Sequence, residues 1–297
     1  PSSVRLLTRD PKNRQSLIGQ NTLSRSGLCR RCREQITSHS STKEHAMPLD
    51  QTKAVVTGAA SGLGEATARY FAQQGAAVTV LDRDEDKGMA VAQDIGGHFV
   101  QTDVTDETSV EAAIDAAVGH MGGLNAAVNC AGIALGIKTI GRDGPHPLDA
   151  FQRTIDINLV GSFNVARLAA QAMATNDPAP DGNRGVIINT ASIAAFDGQK
   201  GQTAYAASKG GIVGMTLPMA RDLASTGIRV MTIAPGIFRT PMLIGLGEEI
   251  MASLAADVTC PPRLGDPEEY AQLAAFIVTA GYLNGEVIRI DGALRLR

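Results

Sequence analysis

The chain has 297 residues, with 27 Lys and Arg against 30 Asp and Glu, 44% hydrophobic residues, four cysteines and no tryptophan. That length buries a sizeable core, the apolar fraction excludes a disordered chain, and four scattered cysteines are too few for a disulfide framework. The longest uncharged window, residues 116–137, is broken by Asn125, Asn129 and several glycines, so it reads as a strand with its turns and not as the roughly 20-residue apolar span a membrane requires. A soluble protein with no membrane partner is the expectation.

Charge divides the chain in two. Residues 1–46 hold nine Lys/Arg and three acids, a net +6, so the remainder has 18 basic and 27 acidic residues, a net −9. An acidic body has no field to gather nucleic acid, and no nucleic-acid partner is expected. The tail shows no sustained apolar period. Its Arg- and Ser-rich, acid-poor composition fits an organellar transit peptide or a basic arm. Cys29-Arg30-Arg31-Cys32 is a CxxC pair without a second pair, a weak metal or redox signal. The favoured reading makes 1–46 a disordered leader or non-native extension, because Met47-Pro48-Leu49-Asp50 runs directly into the first strand. A single domain over 47–297 then sits in the cytoplasm, or in the mitochondrial matrix if the tail is a native transit peptide.

From Met47 onward, short apolar runs alternate with helical patterns. Strands are predicted at 53–57, 77–81, 99–102, 124–129, 186–190, 228–233 and 287–290, and helices at 64–74, 84–94, 107–120, 148–175, 205–225 and 267–278. Strands of Val, Ile and Ala without polar alternation are buried on both faces, as in a parallel sheet. Alternating strands and helices give right-handed crossovers. The fold class is therefore α/β, a single-domain Rossmann fold with a doubly wound, seven-stranded parallel sheet. Residues 241–260 read as too apolar and Gly-rich for a rigid helix, either a packed flap or a substrate lid.

The turn after the first strand, Thr57-Gly58-Ala59-Ala60-Ser61-Gly62-Leu63-Gly64, opens a helix. Glycines there let backbone N–H groups approach a pyrophosphate at the helix N-terminus. Asp82 ends the second strand, where a carboxylate accepts from adenosine ribose hydroxyls and repels a 2′-phosphate. NAD is thus expected over NADP, although the adjacent Arg83 offers a counter-reading. Asp103-Val104 closes the third strand where an adenine would lie, or is an ordinary strand-to-helix cap. With Asn129-Cys130-Ala131-Gly132 after the fourth strand, this spacing resembles the short-chain dehydrogenase/reductase family.

Tyr205 and Lys209 lie four residues apart on one helical face. They follow Ser192 in Asn189-Thr190-Ala191-Ser192 and Asn158 in Asp156-Ile157-Asn158-Leu159, in the order the family has them. The resemblance implies an alcohol–ketone oxidoreductase in which Tyr205 is the acid/base. Free tyrosine has a pKa of about 10, so a nearby ammonium is needed to favour phenolate. Lys209 would supply it and bond the nicotinamide ribose. Ser192 would donate to the reacting oxygen, and Asn158 would hold a water linking Lys209 to solvent. Pro235–Thr240 matches the family's nicotinamide-positioning loop, with Thr240 on the carboxamide. The cofactor residues implied are Gly58, Ser61, Gly62, Leu63, Gly64, Asp82, Asp103, Val104, Cys130, Tyr205, Lys209, Phe238 and Thr240. No metal is implied.

Longer strings at 127–133, 185–192, 208–218, 228–236 and 284–293 are similar to the branch of the family acting on 3-hydroxyacyl-CoA thioesters and also on hydroxysteroids. That similarity implies a small-molecule substrate, a homotetramer, and an insertion at 135–147 whose Lys138 and Arg142 either meet coenzyme A phosphates or are solvated loop charges. The alternatives are a 3-ketoacyl-carrier-protein reductase, which Asp82 disfavours, a dehydrogenase of another secondary alcohol, or a silent scaffold.

Overall fold

The computed structural model describes residues 47–244 and 247–296. The basic tail with Cys29 and Cys32 lies outside the described residues. In chain order the elements are β1 (Lys53–Thr57), α1 (Gly62–Gln73), β2 (Ala77–Asp82), α2 (Glu85–Ile95), β3 (His98–Gln101), α3 (Glu107–Met121), β4 (Ala126–Asn129), α4 (Leu148–Ile155) and α5 (Gly161–Met173). They continue with β5 (Gly185–Thr190), α6 (Thr203–Asp222), β6 (Ile228–Pro235), α7 (Glu248–Ala256), α8 (Pro267–Thr279) and β7 (Val287–Ile290).

The seven strands form one sheet in the order β3-β2-β1-β4-β5-β6-β7, and every pairing is parallel. Every residue of β5 and β6 is buried, which is why these strands carry no polar alternation. One face of the sheet is covered by Ala68 and Phe71 of α1 with Tyr270, Ala274 and Val278 of α8. The other is covered by Val110 and Ile114 of α3 with Val165, Ala169 and Met173 of α5. The chain winds outward from β1 to β3, then returns to β4 on the other side of β1. Neighbouring strands whose connections leave in opposite directions open a crevice at their carboxyl ends. That crevice is the site described below.

The expected strands are all present, with ends within two residues of those predicted. Two helical expectations change. The single helix expected over 148–175 is two helices joined by a π-helical turn at Asp156–Val160, a local widening of the helix of the kind often found at functional sites. The segment after β6 holds a regular helix, α7, correcting the reading of 241–260 as too Gly-rich. Its described glycine, Gly247, takes the N-cap position outside the helix (φ +92°), while Glu248 and Glu249 occupy the first turn. Acids there suit the helix dipole, and Met251, Leu254 and the alanines that follow are good helix formers. Among the described residues, no helix is long and apolar enough to cross a membrane.

Candidate active site

A cleft of about 430 Å³ opens at the carboxyl ends of β1, β4 and β5. Its floor is the glycine turn. Gly58 takes φ +63°, and a Cβ there would lie 2.8 Å from the backbone of Ala131, so the turn passes directly against the exit of β4. A Cβ on Gly64 would overlap the Gly58 carbonyl oxygen. Thr57 fastens the same junction, its hydroxyl accepting from Cys130 N and Ala131 N, both at 3.1 Å. Ser61 is the N-cap of the 12-residue α1 but makes no side-chain bond to that helix. Its hydroxyl and the first amides of α1 are therefore left for a ligand.

At one end of the cleft, the Asp82 carboxylate accepts from Ala60 N at 2.9 Å and Asp84 N at 3.0 Å. One oxygen is fixed against the glycine turn and the other against the start of α2, and each keeps a lone pair. Arg83, the counter-reading for a phosphate, faces Asp103 at 3.6 Å. Burial raises the Asp103 pKa, but bonds from Thr105 and the Arg83 charge outweigh it and bring it below the ordinary value. Val104 is backed by α5, where Asn164 Nδ2 donates to its carbonyl at 3.1 Å.

At the other end stand Ser192, Tyr205 and Lys209. Ser192 Oγ accepts from Ala194 N at 3.1 Å, which leaves its O–H free to donate. Burial pushes the Tyr205 phenol above its ordinary value, and the facing Ser192 hydroxyl only partly offsets this. Lys209 is 4% exposed, and burial lowers its ammonium from 10.5 to about 8. Its Nζ donates to the Thr190 carbonyl at 2.6 Å and lies 5.8 Å from the centre of the Tyr205 ring. That carbonyl is available because pairing between β4 and β5 ends at Asn129 and Asn189.

Of the residues expected from sequence, Gly58, Ser61, Gly62, Leu63, Gly64, Asp82, Asp103, Val104, Cys130, Ser192, Tyr205, Lys209, Phe238 and Thr240 all line this one cleft. Asn158 does not. It is fully buried, with Oδ1 accepting from Ile133 N at 2.8 Å and Nδ2 donating to Ile133 O and Ser208 Oγ. Its amide braces the loop after β4 from beneath. Lys138, just before a small hairpin (Ile140–Gly141 with Gly144–Pro145), and Arg142, at its turn, are exposed and are not among the lining residues. Thr190 was not anticipated, because what it offers Lys209 is a main-chain carbonyl. Tyr270, whose buried hydroxyl meets Thr190 Oγ1 at 2.6 Å, gave no sequence signal at all.

The family profile described as short chain dehydrogenase matches residues 52–250. The chain belongs to that family. Human 3-hydroxyacyl-CoA dehydrogenase type-2 is 55% identical over 248 residues, which cover 82% of this chain and 95% of the human one. The Drosophila melanogaster protein of that name is 54% identical over 246 residues, covering 82% and 96%. The crystal structure of 3-hydroxyacyl-CoA dehydrogenase type-2 from Mycobacterium avium has a TM-score of 0.80 and 48% identity, covering 83% of this chain and 96% of that one. As a short-chain dehydrogenase, the chain takes a nicotinamide cofactor and a small-molecule substrate. The site fits such a cofactor. The missing side chains at Gly58 and Gly64 let the turn pack tightly against the exit of β4 and on itself, and Ser61 leaves the start of α1 uncapped by its side chain, as a pyrophosphate requires.

Proposed function

We propose that this short-chain dehydrogenase is an NAD-dependent enzyme interconverting 3-hydroxyacyl-CoA and 3-ketoacyl-CoA, with hydroxysteroids as secondary substrates. The observation that carries the reading is the convergence of Ser192, Tyr205 and Lys209 on one cleft, in a chain 55% identical to a 3-hydroxyacyl-CoA dehydrogenase. Support for NAD comes from Asp82, whose fixed carboxylate would accept from ribose hydroxyls and repel a 2′-phosphate.

The bound nicotinamide supplies the hydride acceptor or donor. This chain's residues handle the proton. Tyr205, kept neutral by burial, holds a proton that it gives to the substrate oxygen on reduction and regains on oxidation. Lys209, anchored on Thr190, places positive charge beside the phenol and favours phenolate as the proton leaves. Ser192 directs its free O–H at the same oxygen and steadies developing negative charge. Asn158 contributes position, holding Ile133 and so the loop that walls the cleft.

The deciding assay is acetoacetyl-CoA reduction with NADH and NADPH in parallel. Fast turnover with NADH alone is expected. Turnover with NADPH instead would reject the role of Asp82 and point to a carrier-protein reductase. Binding of NADH without turnover would move the substrate to another ketone. We further propose a homotetramer, to be checked by light scattering, and a cytoplasmic enzyme. The matrix alternative predicts that residues 1–46 carry a fluorescent reporter into mitochondria.

A further inference from the structure

Ser192 leaves β5 on a turn with unusual support. Ile193 N donates to Pro235 O at 3.0 Å, and a single helical turn, Ala194–Asp197, follows. The Asp197 carboxylate then receives Arg289 Nη2 from β7 at 2.8 Å. The same guanidinium lies 5.2 Å from the centre of the Phe196 ring. Arg289 Nε donates to Asp291 Oδ2 at 2.7 Å, and the same Nη2 also donates to Leu294 O at 3.2 Å. The Asp291 side chain is only 8% exposed and also takes Arg295 at 3.1 Å and Ala293 N at 2.9 Å. Asp291 stands against the turn after β6, where a Cβ on Gly236 would lie 2.8 Å from its Cα. An apolar contact runs parallel to these bonds, with Ile193 packed on Val258 and Leu294.

Asp197, Arg289 and Asp291 are not among the residues lining the cleft, so they would act on chemistry only through what they hold. We propose that Arg289 is a positioning residue for Ser192, clamping the Ser192 turn to the last strand and making the C-terminal segment part of the active-site frame. Arginine suits this place because its planar fork can bond carboxylates on two sides while stacking on a ring. The Asp197 and Arg289 side chains are 22% and 24% exposed, which shields the pair more than a surface ion pair of small worth. A serine hydroxyl must meet the reacting oxygen within hydrogen-bond distance, so a small drift of the turn is enough to slow the reaction.

The proposal rests on Ser192 donating to the reacting oxygen, and the test separates the two ideas. Acetoacetyl-CoA reduction by NADH is measured for the full chain, Arg289→Ala, Ser192→Ala and the double variant. Arg289→Ala is expected to lower kcat about tenfold in the parent and less than about twofold in the Ser192→Ala background, because the group it positions is then gone. NADH binding by fluorescence should stay within about twofold, since no contact to the glycine turn is lost. Amide hydrogen exchange across residues 193–197 should accelerate about tenfold or more in Arg289→Ala, a readout independent of the substrate chosen. Asp197→Asn, which keeps the side chain's shape, should repeat the pattern if Arg289→Ala does not fold. Equal losses in both backgrounds, no loss in the parent, or unchanged exchange would overturn the positioning role alone. Ser192→Ala with parent-like turnover would overturn the serine assignment and the clamp with it.

Discussion

Lys209 gives the sharpest physical test of the site. Its ammonium is 4% exposed, with the Thr190 carbonyl as its hydrogen-bond acceptor, and burial lowers its pKa from 10.5 to about 8. At 1.36 kcal/mol per tenfold change in proton affinity, carrying this charge into the folded state costs about 3 kcal/mol at pH 7. The sign follows from proton counting. Below about pH 8 both folded and unfolded chains hold the proton, and the full cost is present. Between about 8 and 10.5 the folded chain releases it while the unfolded chain keeps it, so stability rises with pH. Integrating between pH 7 and 9.5, the contribution improves by about 2 kcal/mol. Lys209→Met is uncharged throughout and cancels the titrations that do not couple to Lys209 when the two curves are subtracted, and a Cys130→Ala background removes the thiol that does. Urea unfolding without cofactor across this range should therefore show parent stability rising by about 2 kcal/mol relative to Lys209→Met. The lost bond to Thr190 shifts the whole difference but not its slope. A difference that stays flat with pH would refute the burial argument, and one of opposite slope would mean that an unseen anion holds the ammonium.

The remaining predictions concern individual groups. Tyr205→Phe keeps the ring and removes the proton carrier; turnover should fall by about a thousandfold or more while NADH still binds, and near-normal rates would remove Tyr205 as the acid/base. Asp82→Ala should narrow the preference for NADH over NADPH by about tenfold or more, corresponding to about 1.4 kcal/mol, and an unchanged ratio of kcat/KM would reject the ribose assignment. Gly64→Ala forces a Cβ onto the Gly58 carbonyl. It should lose about 1–3 kcal/mol of stability and weaken NADH binding, and an unshifted Tm with parent affinity would show that the turn has room to yield.

The sheet was legible because its central strands are mostly apolar, and this follows directly from burial on both faces. The glycine turn, Asp82, Ser192, Tyr205 and Lys209 were legible because each contributes through its own residue type. What sequence could not show is of another kind. Lys209 is held by a main-chain carbonyl, which any residue at 190 would present. Asn158 was identifiable as a residue of interest, but the π-helical turn that buries it and aims its amide at Ile133 depends on packing between α4 and α6. The α7 helix was missed because glycine content was averaged over a segment in which Gly247 lies outside the helix.

These particulars also bear on whether the chain could be a scaffold with a dormant site. Natural domains are stable by about 5–15 kcal/mol, so a buried ammonium costing about 3 kcal/mol is a sizeable concession in one side chain. A methionine of similar length would fill the same space without the charge. That charge becomes useful only when a reacting oxygen and a nicotinamide ring enter the cleft. Destabilising arrangements of this sort are expected where function opposes stability. The energetics of Lys209 therefore argue for an active enzyme independently of the likeness to its relatives.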